Sequence, residues 1–386
     1  MAEAKEKPVQ MIRVSRSFVG QAEAEAVSRV LLEDGYLGMG REVQRFEQQL
    51  AEYFEVPADW VVCVNTGTAA LHLAVQAATR PGDEVLVQSL TYVASFQAIS
   101  GAGAVPVACE VAASTATLDV NDALKRVTPR TRAVMPVHYA GNPGELEEIY
   151  HLARRHNLRV IEDAAHAFGS RHRGRKIGSF GDIVCFSFDG IKNITSGEGG
   201  AVVTSDARVA QQARDARLLG VEKDSSRRYA GQRSWEFDVR HQGYRYHMSN
   251  IFAAIGQVQL QRFPKELAPR RVALARLYRE RLAPVPGLRL LEADLEEVVP
   301  HIQPLRVLAG RRDGLREFLG SHGIETGIHY KPNHLLSFFG GGRVKLPVTE
   351  QLYRELLTLP LHPQVSADDV NDICDLVGAY LEGRGQ

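Results

Sequence analysis

Between residues 18 and 204 short apolar runs alternate with amphipathic stretches, a pattern that leaves few folds open. Residues 21–33 and 43–54 have helical apolar spacing. Residues 60–64 read as a short strand, after which Asn65-Thr66-Gly67-Thr68 opens a helix over 69–78. Further strands are expected at 84–87, 104–108, 133–137 and 159–162, with helices such as 145–156 between them. Residues 181–188 and 200–204 are two more apolar runs. Repeated β-α units of this kind imply an α/β fold, a mostly parallel sheet covered by helices on both faces.

Beyond these runs the character shifts. Residues 250–263 and 269–282 read as helices, the second long and rich in arginine. Strands around 298–307 and helices at 312–322 and 367–381 suit a small α/β domain. The expected division is a large domain over 18–265 and a small C-terminal domain over 266–386, with residues 1–17 as an arm. A chain of 386 residues is long enough for both.

Lys+Arg and Asp+Glu both number 46, so there is no global field to attract nucleic acid. The basic cluster at 171–176 is local and reads as a solvated hairpin. Cys63, Cys109, Cys185 and Cys374 are far apart and form no C-x-x-C pair. They are expected to be buried thiols in a reducing cytoplasm. Residues 1–8 are polar, without the apolar core of a signal peptide, and no apolar run is long enough to span a bilayer. The expected setting is cytoplasmic, with no membrane or nucleic-acid partner and no metal site.

The chemistry concentrates on the stretch from Phe186 to Gly200, Phe-Ser-Phe-Asp-Gly-Ile-Lys-Asn-Ile-Thr-Ser-Gly-Glu-Gly-Gly. It sets Lys192 on a loop behind an apolar strand. Upstream, the strand at 158–162 leads into Asp163-Ala164-Ala165-His166. An acid at a strand's end and a later lysine are what pyridoxal 5′-phosphate (PLP) chemistry needs. The carboxylate keeps the pyridine nitrogen protonated and the lysine carries the aldehyde. Ser187 alternates with Phe186 and Phe188, so its hydroxyl points away from the core face, towards a ligand. Burial and nearby positive charge would lower the Lys192 pKa towards the neutral amine it needs.

Thr66, Gly67 and Thr68 lie at a helix N-terminus, where free N–H groups bind anions. They read as a phosphate cradle or as a plain cap; beside Lys192 and Asp163 the cradle is favoured. Tyr92 follows the next strand and either stacks on the pyridine ring or fills core. If helical geometry begins at Asp163, His166 shares its face and reaches the cofactor; otherwise it is structural.

Taken together, the chain resembles the DegT/DnrJ/EryC1/StrS family of PLP-dependent nucleotide-sugar aminotransferases. The resemblance is an ordered series that covers nearly the whole chain. It runs through Phe46-Glu47, Thr66-Gly67-Thr68-Ala69-Ala70-Leu71, Pro81-Gly82-Asp83-Glu84-Val85 and Thr91-Tyr92. It continues with Pro136-Val137-His138-Tyr139-Ala140-Gly141, Glu162-Asp163-Ala164-Ala165-His166 and the Lys192 stretch. Gly243-Tyr244-Arg245-Tyr246-His247-Met248-Ser249-Asn250-Ile251 and His329-Tyr330-Lys331-Pro332 close it.

This resemblance implies the aspartate aminotransferase-like fold (PLP fold type I). It implies Lys192 as the Schiff-base lysine, Asp163 as partner of the pyridine nitrogen and His166 as a further catalytic residue. Thr66, Gly67, Thr68 and Ser187 would hold the phosphate, and Tyr92 would stack on the ring. His329, Tyr330 and Lys331 would bind substrate. Members are dimers or higher homo-oligomers with shared sites, and Arg245 lies in the segment that reaches a neighbour's phosphate. His166 stands where many members have Gln, and Arg245 where many have Asn.

The expected activity is transfer of an amino group from L-glutamate, through pyridoxamine 5′-phosphate (PMP), to a nucleotide-linked keto-6-deoxyhexose. The motifs at 138–141 and 163–166 resemble members that act at C4, as on dTDP-4-keto-6-deoxyglucose. Alternatives are a C3 or keto-inositol aminotransferase, or a non-catalytic sensor of sugar nucleotides. The intact Lys192–Asp163 pair argues against the last.

Overall fold

The computed structural model describes residues 11–222, 224–233, 235–239 and 241–383. Nine short strands precede residue 204: β1 (Val61–Val64), β2 (Glu84–Gln88), β3 (Val105–Cys109), β4 (Thr131–Met135), β5 (Arg159–Asp163), β6 (Arg171–His172), β7 (Arg175–Lys176), β8 (Ile183–Ser187) and β9 (Gly200–Val203). Seven of them form one sheet in the order β1-β9-β8-β5-β4-β2-β3. The pairings from β8 across to β3 are parallel. β9 runs antiparallel to both neighbours, so the sheet is mostly, not wholly, parallel. The basic cluster is the small hairpin β6–β7.

Both faces of the sheet are covered, as its composition requires. Along β8, Val184 and Phe186 pack in one core with Phe46, Phe54 and Phe188. Ile183 and Cys185 pack in the other with Val85, Val87 and Ile161. This period of two puts Ser187 on the opposite side from the phenylalanines. The helix Gly67–Ala78 lies on the second face, buried along most of its length.

A second, antiparallel sheet joins β10 (Leu288–Leu290), β11 (Gln303–Val307) and β12 (Leu356–Leu359). The helices Ala268–Leu282, Arg312–Ser321 and Ala367–Leu381 close a separate core over it. Residues 1–10 of the expected arm lie outside the described residues. Ile12 pairs with Ile324, and the Leu361 N–H donates to the Val14 carbonyl. The start of the described chain therefore lies against the C-terminal layer.

Two expectations need correction. The strand expected from 298 begins only at Gln303, because Pro300 has no N–H to donate to a ladder and residues 298–302 form a loop. No helix starts at Asp163: that residue ends β5, and residues 164–170 are turns. The short helices Val120–Lys125 and Pro347–Glu355 were not anticipated. No helix of the described residues is long and apolar enough to cross a membrane. All four cysteines are free and buried.

Candidate active site

The carboxyl ends of β1, β2, β5 and β8 meet along one edge of the large sheet, the usual ligand position in such folds. A cavity of about 480 Å³ opens there, bounded by Thr66, Gly67, Thr68, Tyr92, Asp163, His166, Ser187 and Lys192. His329 and Tyr330 enter it from the C-terminal layer, and Asp189 and Glu198 from the lysine loop. Lys331 and Arg245 do not line it. Both are exposed.

Thr66 is the cap of the helix Gly67–Ala78, its hydroxyl accepting from the Ala69 N–H at 3.0 Å. The first N–H groups of that helix have no intrahelical acceptor. Gly67 makes the approach possible: a Cβ there would stand 2.7 Å from the Ser187 Cβ. A backbone cradle, a hydroxyl and a helix N-terminus thus face the same space, a donor set suited to a phosphate.

Asp163 is buried. Its Oδ2 accepts from Ser95 Oγ at 2.7 Å, and its Oδ1 from the Ala165 N–H at 3.2 Å. Ser95 Oγ in turn lies 3.0 Å from Thr91 Oγ1. Burial pushes the Asp163 pKa above its ordinary value, while those hydrogen bonds, Lys192 and His138 oppose the rise. Such a carboxylate, short of water, is suited to a buried cationic N–H.

Lys192 sits on a closed loop. Its N–H donates to the Asp189 carbonyl at 3.1 Å, and the Ser196 N–H to the Phe188 carbonyl at 2.8 Å. The Asp189 side chain accepts from the Ile191 N–H. Loss of water lowers the Lys192 pKa to about 8. Asp189 and Asp163 pull it up, and the buried Arg271 guanidinium pushes it down. A large share of the amine is then neutral near pH 8, as a nucleophile or base requires.

His166 reaches the cavity from a turn rather than a helix. Its Nε2 is 3.0 Å from the Tyr330 hydroxyl, and its buried Nδ1 has no partner. Burial, helped by Lys192, His329 and His138, holds its pKa well below the usual value. A neutral ring accepting from Tyr330 carries its proton on Nδ1, free to donate into the cavity. Tyr92 is 59% exposed, and its ring centroid is 5.6 Å from that of Tyr330. His329 is anchored through Nδ1 to Thr358 Oγ1 at 2.8 Å.

Sequence reasoning missed Ser95, His301 and Arg271. Ser95 had a weak signal, a polar residue in the first turn of the helix Val93–Gly101. His301 had none, because it falls in the stretch read as a strand. Its Nε2 lies 3.5 Å from Lys192 Nζ.

A profile of the DegT/DnrJ/EryC1/StrS aminotransferase family matches residues 19–378. The dTDP-4-dehydro-2,3,6-trideoxy-D-glucose 4-aminotransferase of Saccharopolyspora spinosa is 35% identical, over 95% of this chain and 95% of its own. Among solved structures, the aminotransferase TlmJ from Streptoalloteichus hindustanus superposes with a TM-score of 0.89 at 34% identity, covering 97% of this chain and all (100%) of its own. Spr1654 from Streptococcus pneumoniae, described as a sugar aminotransferase, has a PMP form (TM-score 0.88, 28% identity, covering 97% of this chain and 98% of its own). Its PLP form matches with the same TM-score, 0.88, and the same identity, 28%, covering 97% and 99%.

Proposed function

The chain belongs to the DegT/DnrJ/EryC1/StrS aminotransferase family, and from that premise we propose that it aminates C4 of a nucleotide-linked keto-6-deoxyhexose, with L-glutamate as donor. The enzyme is a sugar aminotransferase of PLP fold type I, and PLP is its cofactor. A substrate such as dTDP-4-keto-6-deoxyglucose is the specific reading. The 35% identical relative, named for a 4-amino transfer to a dTDP sugar, supports it.

The observation that carries the proposal is the convergence of Lys192, Asp163 and the unpartnered His166 Nδ1 on one cavity, opposite the Gly67–Ser187 cradle. When bound, PLP supplies the aldehyde carbon that takes up the amino group and a ring that withdraws electrons from the carbon losing its proton. The N–H groups at Gly67 and Thr68 and the Ser187 hydroxyl would hold the phosphate. Asp163 would keep the pyridine nitrogen protonated, and His166 Nδ1 would be a donor for the cofactor ring. Tyr92 covers the ring face. Lys192 Nζ would take the proton from the donor's α-carbon and return one when the sugar is aminated. His329 and Tyr330 border the space left for the sugar.

Arg245 stands outside its own chain's cavity, on a segment whose neighbours Trp235 and Phe237 are 84% and 60% exposed. A homodimer in which that segment meets the neighbour's phosphate accounts for both. Four free, buried cysteines suit a reducing cytoplasm.

The test is an absorbance spectrum of the purified protein, recorded before and after L-glutamate and again after dTDP-4-keto-6-deoxyglucose. The cofactor band should convert with glutamate and return with the sugar, and product NMR should place nitrogen on C4. Nitrogen on C3, or a response only to a keto-inositol, would overturn the substrate reading but leave the transaminase. No band after adding PLP would overturn the site assignment.

A further inference from the structure

His301 occupies a place that the amino-transfer reading leaves without a role. It lies on the loop before β11 and is 4% exposed. Its Nε2 is 3.5 Å from Lys192 Nζ, the one side-chain partner of that amine among the described residues. Its ring centroid lies 4.4 Å from that of His166. The placement is fixed from behind: Arg271, itself 2% exposed, donates to the His301 carbonyl and to the Leu361 carbonyl, both at 3.1 Å. Arg271 makes no ion pair among the described residues, so its role here is to hold two carbonyls.

We propose that His301 is a positioning residue for Lys192: its Nε2 accepts an N–H from the ε-amine whenever that amine is not engaged with the cofactor, and keeps it aimed into the cavity. This rests on the amino-transfer reading, in which Lys192 must let go of the cofactor and still return protons to it. A freed lysine side chain has many rotamers, and confining it to one is costly in entropy without a partner. A neutral imidazole provides one, because its unprotonated nitrogen is an acceptor. Lys192, His166, Arg271 and His329 all face His301, and with burial they keep it neutral. The 3.5 Å contact is long, as such contacts are before a ligand closes the site.

The test measures Lys192 itself, apart from turnover. The full chain is freed of cofactor by dialysis and exposed to trace amounts of acetic anhydride across a pH series. Mass spectrometry reads the acylation of Lys192. In the wild type the midpoint should fall near pH 8. An imidazole acceptor favours the ammonium over the amine. H301F, which keeps ring bulk without an acceptor, should therefore lower the midpoint by about one pH unit, a tenfold change in the equilibrium. H301Q, whose amide oxygen accepts, should restore most of it, and the acid limb of kcat should move in parallel. An unchanged or raised midpoint in H301F overturns the proposal. So does an H301Q midpoint no closer to wild type than that of H301F. Because acylation needs neither donor nor sugar, failure of the transaminase reading would show separately, as a cofactor band that L-glutamate does not convert.

Discussion

The Tyr330 hydroxyl stands 3.0 Å from Nε2 of His166, so the C-terminal layer orients a ring that the large sheet carries. Burial keeps the phenol protonated by pushing its pKa well above the usual value, so Tyr330 retains the O–H with which it can donate to a neutral His166. One hydrogen bond of this kind contributes about 1 kcal/mol net. Y330F should keep the cofactor band and lower kcat roughly fivefold, measured by steady-state kinetics. An unchanged kcat would show that Tyr330 only fills space.

Lys192→Ala removes the proton carrier but no core packing. The variant should fold, bind PMP as judged by its retained absorbance after gel filtration, and turn over at least about 10³-fold more slowly. Turnover near the wild-type rate would remove Lys192 from the mechanism.

Ser95→Ala takes away the 2.7 Å donor that favours ionised Asp163. The carboxyl pKa rises further and its hold on the protonated ring weakens. The Kd for PLP should increase about tenfold, read by fluorescence titration of the cofactor-free protein. A Kd within twofold of wild type would leave the Asp163 charge set by other groups.

Three histidines, the buried His166 and His301 and the half-buried His329, have pKa values below 6.5 in the folded chain, chiefly because they are held from water, with His329 near 4. On unfolding each regains its ordinary value of about 6.5. Below that pH the unfolded chain binds protons that the folded chain refuses, so stability falls as pH drops from 6.5 towards 4. For His329 the loss at pH 5 is on the order of 1–2 kcal/mol. Urea denaturation at pH 7 and pH 5 checks it, and H329Q should flatten the slope.

What the sequence made legible was local. The β-α alternation, the Thr66 cap and the turn of Ser187 away from Phe186 and Phe188 each rest on neighbours a few residues apart, and the order of Asp163 before Lys192 is read directly along the chain. Ser95, Arg271 and His301 act through partners far away in the chain, which no periodicity encodes. His301 was hidden further because apolar Val298 and Val299 mimic the start of a strand. The antiparallel sense of β9 was equally hidden, since an apolar run has no direction. His166 arrived in the cavity without the helix that was to bring it there. Spacing pointed to a residue that borders the cavity, through a helix that does not form.

The strand order has a consequence for how the polypeptide is made. β1 lies at the edge of the sheet, and its partner is β9, with Val61 opposite Val203. Thr66 and Gly67 follow β1 closely, so the strand that carries their half of the cradle has no strand partner until β9 has left the ribosome. At roughly 5–20 residues per second that wait is on the order of ten seconds, during which β1 and the apolar helix after it are open to proteases and chaperones. Nascent chains arrested before Gly200 should be cut within residues 61–78, and chains extended well past Val203 should resist. Equal resistance in both would show that the N-terminal half closes without its distant partner.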